Sequence, residues 1–173
     1  MKWIYRIKHA ADGIIEKYKA RFATRGFSQK EGIDYEETFA PVERYTSIRY
    51  IMALASMMKW KLHQMDVKTS FLIGVIEEEF YIEQPQGFEF EDKGTHVSKL
   101  NNVVYGPKQA PKAWYRRIYS LLTSMWYIKS KADPNIYMNI MGDEPIIILL
   151  YVDDLFLTRN EKQIKDYKKN LVE

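Results

Sequence analysis

Two adjacent carboxylates carry the clearest chemical meaning in this sequence. Asp153 and Asp154 lie between two apolar segments, IIILLYV (146–152) and LFL (155–157). Adjacent like charges repel each other, and each loses hydration beside a buried sheet. A structural turn would more often use Asn-Gly or Asp-Gly. Paired carboxylates on a stiff hairpin suit a hard divalent cation such as Mg²⁺, and a plain Asp-Asp turn is the alternative interpretation.

Asp66 supplies a third carboxylate, in the segment QMDVKTSF (64–71), where another predicted strand ends. Three carboxylates on neighbouring strand ends would hold two Mg²⁺ ions about 3.5–4 Å apart, the arrangement used for in-line phosphoryl transfer. One ion lowers the pKa of an attacking hydroxyl, and the other holds a triphosphate and stabilises the leaving pyrophosphate. The carboxylates therefore predict phosphoryl-transfer chemistry.

The elements around these carboxylates predict an α+β fold, with helices over one face of an antiparallel sheet. Predicted strands cover 61–66, 80–83, 136–141, 146–151 and 155–158, and predicted helices cover 47–59, 111–127 and 161–171. Ser47 is expected to cap the first helix. The second helix is expected to bury an apolar stripe, formed by Trp114, Ile118, Leu121, Leu122 and Met125. Residues 26–45 and 84–95, and the acidic run 77–79, are predicted loops.

The N-terminal segment predicts a β-hairpin with a basic face. Apolar and basic residues alternate over 2–8, Ala11-Asp12-Gly13 is a turn signal, and a second strand covers 14–23. In that strand, one face carries Lys17, Lys19 and Arg21, and the opposite face carries Tyr18, Ala20 and Phe22. An ordinary solvated surface is the simplest interpretation of the basic face.

Composition excludes several classes of protein. The chain has 173 residues, of which 46% are hydrophobic and 28% are charged, so it can bury a core and is not disordered. Cysteine is absent, which excludes a disulfide scaffold, a thiolate zinc site and a cysteine nucleophile. A net charge of +3 permits a nucleic-acid partner without demanding one. There is no signal peptide and no apolar run of membrane-spanning length, so an intracellular protein without a membrane partner is expected.

Six segments in order give the chain its resemblance to the reverse transcriptase domain of copia-type LTR retrotransposons. The segment YVDD alone is weakly specific, whereas the ordered set is highly specific and covers nearly the whole chain. The segments are YKARFATRGFSQKEGIDYEETFAPV (18–42), LHQMDVKTSFLIG (62–74), EEEFYIEQPQGF (77–88), VYGPKQAPKAWY (104–115), SKADPNIY (130–137) and LLYVDDLFLT (149–158).

The resemblance implies a right-hand polymerase with fingers and a ferredoxin-like palm, and without a thumb. The fingers-like hairpin, loop and helix would cover 1–60, and the palm would cover 61–173 with an interleaved fingers segment at about 75–110. The implied function is that of an RNA-directed DNA polymerase, which adds dNTPs to a primer 3′-hydroxyl with two Mg²⁺ ions, or Mn²⁺ in their place. The implied partners are an RNA or DNA template with its primer and the RNase H, integrase and protease segments of a Pol polyprotein. The implied location is a cytoplasmic virus-like particle, or the nucleus.

The resemblance also implies roles for individual residues. Asp66, Asp153 and Asp154 would be catalytic, with Asp66 and Asp153 as direct ligands of both ions and Asp154 less directly involved. Phe71 would be the steric gate that excludes a 2′-hydroxyl, although the residues alone favour a core position for it. The nucleotide pocket would further include Tyr105, Gly106, Arg21, Lys19 and Lys17. Contacts to template and primer would come from Tyr151, Lys108, Gln109 and Arg25, with Lys112, Arg116 and Arg117 as further candidates.

The sequence departs from the family pattern at four positions. Pro107 stands where the family usually has Leu, and Arg159 stands where it usually has Gly. Ile73 and Val75 replace the usual Asn and Asp. Pro107 restricts the pocket loop and disfavours a helical Gly106. These departures keep an alternative open: a truncated, non-catalytic retrotransposon remnant that at most binds nucleic acid.

Overall fold

The computed structural model describes residues 1–90, 96–140 and 145–159. The chain forms two compact units, and each unit is built from two separate stretches of sequence. The first unit comprises Met1–Phe39 and Phe71–Arg117, and the second comprises Ala40–Ser70 and Ile118–Glu173.

An antiparallel hairpin opens the first unit. Strand β1 (Lys2–His9) pairs with β2 (Ile15–Ala23), as the alternation of apolar and basic residues predicts. The turn between them contains Gly13, whose φ of +82° favours glycine. Trp3 lies opposite Phe22 and Arg6 opposite Lys19 in the register, so the two faces of this ribbon differ in character.

A second hairpin in this unit joins β4 (Val75–Glu83) to β5 (Val97–Asn102). Only the last four residues of β4 were predicted from the sequence, and β5 was not predicted. The prediction that the acidic run 77–79 forms a loop is wrong, because these residues belong to β4. Glu79 forms a salt bridge with Lys99 on β5 and accepts a hydrogen bond from Tyr81, and this local pairing lowers its pKa.

The second unit contains a five-stranded antiparallel sheet in the order β3-β9-β8-β7-β6. Its central strand, β8, is covered on both faces, since every residue from 146 to 150 is at most 4% exposed. Four of the strands confirm the predictions, and β6 was not predicted. The bounds are β3 Lys61–Asp66, β6 Ile128–Lys129, β7 Ile136–Ile140, β8 Pro145–Tyr151 and β9 Asp154–Arg159.

Two α-helices accompany the sheets, α1 (Tyr45–Met57) and α2 (Ala110–Ser124). Ser47 does not cap α1, which begins two residues earlier without a side-chain cap; instead the Ser47 hydroxyl donates a hydrogen bond to Asp133 at 2.5 Å. Burial of the predicted α2 stripe is confirmed for Trp114, Ile118 and Leu122. It is wrong for Leu121, which is 38% exposed. The predicted helix over 161–171 lies outside the described residues.

The architecture is therefore mixed α and β, with antiparallel pairing between all the named strands in the described part of the chain. This agrees with the predicted α+β class. Assignment of its parts to fingers and palm stays a prediction. None of the helices in the described ranges has the length and apolar character needed to cross a membrane.

Candidate active site

The sheet of the second unit brings the backbones of the three predicted carboxylates to one of its ends. Asp66, the last residue of β3, lies directly opposite Asp154, the first residue of β9. Tyr151 at the end of β8 also pairs with Asp154, so only Val152 and Asp153 form the turn between β8 and β9. Side chains directly opposite in an antiparallel pair have Cβ atoms about 4.5–5.5 Å apart. The register therefore places Asp66 beside Asp154, with Asp153 next to both.

The turn that carries Asp153 is strained at Val152. The φ of Val152 is +54°, and Asp153 is not among the residues of positive φ. This is the pattern of a type II′ turn, whose first central position is normally glycine. A β-branched residue is an outlier there, and such strain concentrates at functional sites. The Val67 amide donates a hydrogen bond to the Asp153 carbonyl at 2.8 Å, which joins the turn to the segment that follows Asp66.

The three carboxylates carry the same charge and differ in exposure. Asp66 is exposed, whereas Asp153 and Asp154 are half-buried. Gln64, two residues before Asp66 on β3, donates a hydrogen bond from its Nε2 to Asp154 Oδ1 at 3.1 Å. Like charges placed directly opposite destabilise a sheet. The pairing of Asp66 with Asp154 is thus unfavourable by itself and favours a cation at this end of the sheet.

The donor chemistry fits Mg²⁺, because carboxylate oxygens are its preferred protein ligands. The predicted convergence of the three carboxylate side chains, however, is not observed. Within 1–90, 96–140 and 145–159, no group of three His, Cys, Asp or Glu side chains is arranged to hold a metal ion. The expected cluster of Asp66, Asp153 and Asp154 is therefore not formed by their side chains, although the register brings their backbones together.

Within the first unit, Arg21, Phe71 and Tyr105 form a cluster around the Tyr105 ring. The Arg21 guanidinium carbon lies 5.1 Å from the ring centroid, and the Phe71 ring meets the ring edge-on at 5.8 Å. The Arg21 Nε atom is shielded from solvent and has no hydrogen-bond partner among the described residues. A buried guanidinium nitrogen without an acceptor is costly, and a phosphate oxygen would satisfy it. Three predicted nucleotide-site residues thus lie together.

Gly106 approaches another backbone segment of this unit closely. A Cβ atom on Gly106 would lie 2.3 Å from the Thr24 carbonyl oxygen, and the φ of Gly106 is +114°. A Cβ atom on Gly26 would lie only 1.8 Å from the Gly106 carbonyl oxygen. The Thr24 amide also donates a hydrogen bond to the Tyr105 carbonyl at 2.8 Å. The non-helical Gly106 agrees with the prediction from Pro107, whereas the role of Gly26 was not predicted.

Lys108 and Gln109, which are predicted to contact template and primer, form hydrogen bonds with residues of the first unit itself. The Lys108 ammonium donates a hydrogen bond to the Tyr35 hydroxyl at 2.9 Å. Gln109 is 3% exposed and accepts a hydrogen bond from Gln29 at 3.0 Å, and Gln29 Oε1 also accepts one from the Lys108 amide. These contacts give Lys108 and Gln109 a structural role, which was not predicted from the sequence. Their predicted role at the template stays a prediction.

The remaining predicted contact residues lie at exposed or half-buried positions. Lys17, Lys19 and Arg21 occupy one face of β2, as predicted, with Lys17 exposed and Lys19 half-buried. Arg25 is exposed, and Tyr151 is 38% exposed at the end of β8. Lys112, a further candidate for phosphate contact, instead pairs with Glu37 at 2.7 Å.

Comparison with known proteins gives one consistent answer. A model of the family described as reverse transcriptase (RNA-dependent DNA polymerase) matches residues 1–173. The retrovirus-related Pol polyprotein from transposon TNT 1-94 of Nicotiana tabacum is 45% identical over 162 residues, which is 93% of this chain and 12% of that polyprotein. The corresponding polyprotein from transposon RE1 of Arabidopsis thaliana is 38% identical over 160 residues, or 92% of this chain and 11% of the polyprotein.

These relatives are much longer than the chain, which spans about one eighth of the tobacco polyprotein. A more distant relative, the transposon Ty1-H Gag-Pol polyprotein of Saccharomyces cerevisiae, is 26% identical over 162 residues, covering 88% of this chain and 8% of the polyprotein. No solved structure matches the chain.

Proposed function

Because the chain belongs to the reverse transcriptase (RNA-dependent DNA polymerase) family, in the form carried by Pol polyproteins of copia-type transposons, we propose that it transfers nucleotides from dNTPs to a primer 3′-hydroxyl. One observation of the structure supports this most: Asp66 and Asp154 are directly paired at a sheet end, and the strained Val152–Asp153 turn lies beside them. A like-charge pair next to a strained turn has a stability cost, which a catalytic role explains.

In this proposal, Asp66, Asp153 and Asp154 are the residues that would hold two Mg²⁺ ions through their carboxylate oxygens. When bound, the ions supply activation of the primer hydroxyl and neutralisation of charge on the transferred phosphate. The chain contributes the rigid register that fixes the carboxylate backbones, and Gln64 orients Asp154 through its hydrogen bond. Asp66 and Asp153 are the expected direct ligands, with Asp154 less directly involved.

The proposed nucleotide-binding residues are those around Tyr105 in the first unit. The Nε atom of Arg21 lacks an acceptor among the described residues and suits the triphosphate, with Lys17 and Lys19 on the same strand face assisting. Phe71, in contact with the edge of Tyr105, is the proposed steric gate against a 2′-hydroxyl. Gly106, which has no side chain, lets the loop that carries Tyr105 lie directly against Thr24.

Partners follow from the family and belong to the proposal. They are an RNA or DNA template annealed to its primer, a dNTP, and the RNase H, integrase and protease segments of a Pol polyprotein. Sequence-independent contacts to template phosphates are proposed for Arg25 and Lys108. A cytoplasmic virus-like particle is the proposed location.

Primer extension tests the proposal. The chain, incubated with poly(rA)/oligo(dT), dTTP and Mg²⁺, is expected to extend the primer, and Asp153→Asn is expected to abolish extension. Asp12→Asn is the matched control, because Asp12 lies in the turn of the β1–β2 hairpin and its side chain accepts a hydrogen bond from the Ile14 amide. Equal extension by wild type and Asp153→Asn would refute the assigned role of the carboxylates.

One observation favours a second function, that of a non-catalytic remnant that binds nucleic acid. In the described parts of the chain, no three potential ligand side chains are grouped as a metal site. A non-catalytic remnant that binds nucleic acid would have this property. A wild-type chain that is folded and binds duplex but does not extend the primer, with Mg²⁺ or with Mn²⁺, would establish the remnant.

A further inference from the structure

The side chain of Gln29 joins two segments of the first unit that lie far apart in the sequence. Its Oε1 atom accepts a hydrogen bond from the Lys108 amide at 2.8 Å, and its Nε2 atom donates one to Gln109 Oε1 at 3.0 Å. Gln29 is half-buried and directly follows the short 3₁₀ turn Gly26–Ser28. One amide therefore uses both its acceptor and its donor on two consecutive residues. We call these two hydrogen bonds the Gln29 clamp.

Gln109 depends on this clamp because it is buried. It precedes the first residue of α2 and is only 3% exposed. Its Nε2 atom has no hydrogen-bond partner among the described residues, so the bond from Gln29 is the one hydrogen bond that its side chain forms there. A buried amide left without any partner costs free energy. The clamp therefore favours a single arrangement of the chain at the start of α2.

The clamp is also one of two attachments that hold the loop containing Tyr105 and Gly106. At the other attachment, the Thr24 amide donates a hydrogen bond to the Tyr105 carbonyl at 2.8 Å. Gly106 lies between the two attachments with a φ of +114°, and glycine has more conformational freedom than any other residue. Without the clamp, rotation about Gly106 would leave Tyr105 held from one side only. Gln29 thus restrains a loop that it contacts two residues beyond Gly106.

Tyr105 connects the clamp to the proposed nucleotide site. Its ring lies against the Arg21 guanidinium and meets the Phe71 ring edge-on. We propose that Gln29 is a positioning residue for this site: by fixing the loop, it keeps the Tyr105 ring where Arg21 and Phe71 can meet an incoming dNTP. This inference rests on the proposed function, because it concerns the same site. Gln29 is expected to touch no nucleotide and to act only through the loop.

Single-nucleotide insertion of dTTP on poly(rA)/oligo(dT) separates positioning from a purely structural role. Gln29→Met keeps the length of the side chain and removes both hydrogen bonds. Because only a fraction of the molecules then presents a formed site, the KM for dTTP is expected to rise about 5- to 30-fold, the effect of losing one or two ordinary hydrogen bonds. The kcat is expected to stay within about twofold of wild type, since saturating dTTP restores the formed site. A variant that merely folds less well would lower kcat and leave KM unchanged.

Gln29→Glu is the conservative variant that is expected to rescue the loop. Its carboxylate can accept a hydrogen bond from the Lys108 amide. The Gln109 amide can turn so that Nε2, which has no partner in the described chain, donates the second bond. The KM of Gln29→Glu is therefore expected to lie within about threefold of wild type. Gln86→Met is the matched control, because Gln86 is an exposed glutamine of the same unit, and it should keep the wild-type KM and kcat.

Amide hydrogen exchange tests the clamp without nucleotide, metal ion or reaction. The Lys108 amide loses its acceptor in Gln29→Met, so the peptide that covers 105–110 is expected to exchange about 5- to 30-fold faster than in wild type. The same peptide is expected to keep its wild-type rate in Gln29→Glu and in Gln86→Met. Hydrogen-exchange mass spectrometry of the folded chain in EDTA measures these rates.

Three results would overturn the positioning role. Wild-type exchange over 105–110 in Gln29→Met would show that the clamp does not hold the loop, whether or not the chain inserts nucleotides. Faster exchange with an unchanged KM would show that the loop does not affect the nucleotide site. A lower kcat with an unchanged KM would show that Gln29 serves folding alone. Failure of the proposed function is recognised separately, because the wild-type chain would then insert no dTTP at any concentration.

Discussion

The surroundings of Phe71 indicate a functional role that its residue type alone does not. By composition alone it belongs to a small apolar cluster and would be expected in the core. In the structure it is half-buried, and its ring meets the edge of Tyr105 at 5.8 Å, in the same cluster as the Arg21 guanidinium. A bulky ring at that position is suited to limit the size of a bound sugar.

Phe71→Ala is therefore expected to raise the incorporation of ribonucleotides relative to deoxyribonucleotides by about 10- to 200-fold, the usual range for one steric contact in a pocket. Single-nucleotide insertion with dTTP and with UTP on poly(rA)/oligo(dT) measures the ratio. Phe27→Ala, which changes an 84% exposed ring of the same unit, is the control and should leave the ratio unchanged. An unchanged ratio in Phe71→Ala would remove the gate.

Glu43 is a second residue whose environment the sequence did not reveal. Both of its carboxylate oxygens are shielded from solvent and have no hydrogen-bond partner among the described residues. Burial and, to a smaller extent, the negative charge of Asp133 together raise the pKa of Glu43 from 4.5 to about 7. The folded second unit thus holds a proton on Glu43 at a pH where the unfolded chain has lost it.

Stability is expected to fall as the pH rises from about 4.5 to about 7, because the unfolded state then binds fewer protons than the folded state. Glu43→Gln removes this dependence. It should be about 1–2 kcal/mol more stable than wild type at pH 8, a figure reduced for solvent screening, and equal to wild type near pH 4. Urea unfolding at several pH values measures the effect, with exposed Glu16→Gln as the control. A parallel pH dependence in wild type and Glu43→Gln would contradict this account.

At the scale of elements, the loop that carries Tyr105 and Gly106 depends on glycines to contact the segment after β2. Gly26→Ala would place a methyl carbon 1.8 Å from the Gly106 carbonyl oxygen, and neither backbone can yield without breaking the Thr24–Tyr105 hydrogen bond. The sequence gives no sign that Gly26 is needed, because this contact joins residues far apart along the chain.

Gly26→Ala is expected to destabilise the first unit by at least about 2 kcal/mol, the cost of a backbone clash that repacking cannot relieve. Gly13→Ala is the matched control. Its new methyl group meets nothing within 4 Å, so only the strain of a positive φ remains, at about 1–2 kcal/mol. Chemical denaturation of the two variants compares these costs. A smaller loss for Gly26→Ala than for Gly13→Ala would show that the close approach is not maintained.

Elements with a strong local pattern could be predicted, and those without one could not. The alternation in the first hairpin and the continuous apolar run of β8 each gave the correct strand. Strand β5 was missed because its sequence, VSKLNN, is mostly exposed and polar, and β6 was missed because it has only two residues. Ser47 has the composition of a helix cap, but its hydroxyl bonds Asp133, a contact 86 residues away that no local pattern reports.

The features of the candidate site could also be predicted only in part. The carboxylates and their position at strand ends could be predicted, because Asp153 and Asp154 follow the apolar run 146–152 and Asp66 ends the predicted strand 61–66. The direct pairing of Asp66 with Asp154 and the strain at Val152 could not, since register and φ depend on the assembled sheet. The contacts of Lys108 and Gln109 were missed for a related reason: Gln29 and Tyr35, their partners, lie more than 70 residues earlier in the chain.

At the scale of the whole molecule, the chain passes between its two units three times, so neither unit is a continuous stretch of sequence. The carboxylates belong to the second unit, whereas Arg21, Phe71 and Tyr105 belong to the first. The modest net charge of +3 conceals a similar division, because +4 lies in the first 23 residues. The predicted fingers and palm boundaries stay predictions.

A graded series of carboxylate variants tests the central claim most directly. Single-nucleotide insertion of dTTP on poly(rA)/oligo(dT) with Mg²⁺ is measured for wild type, Asp66→Asn, Asp153→Asn, Asp154→Asn and the Asp12→Asn control. The account predicts that Asp66→Asn and Asp153→Asn lose at least about 10²–10³-fold, that Asp154→Asn loses less, and that Asp12→Asn matches wild type. Insertion that survives in Asp66→Asn or Asp153→Asn at the wild-type rate would contradict it.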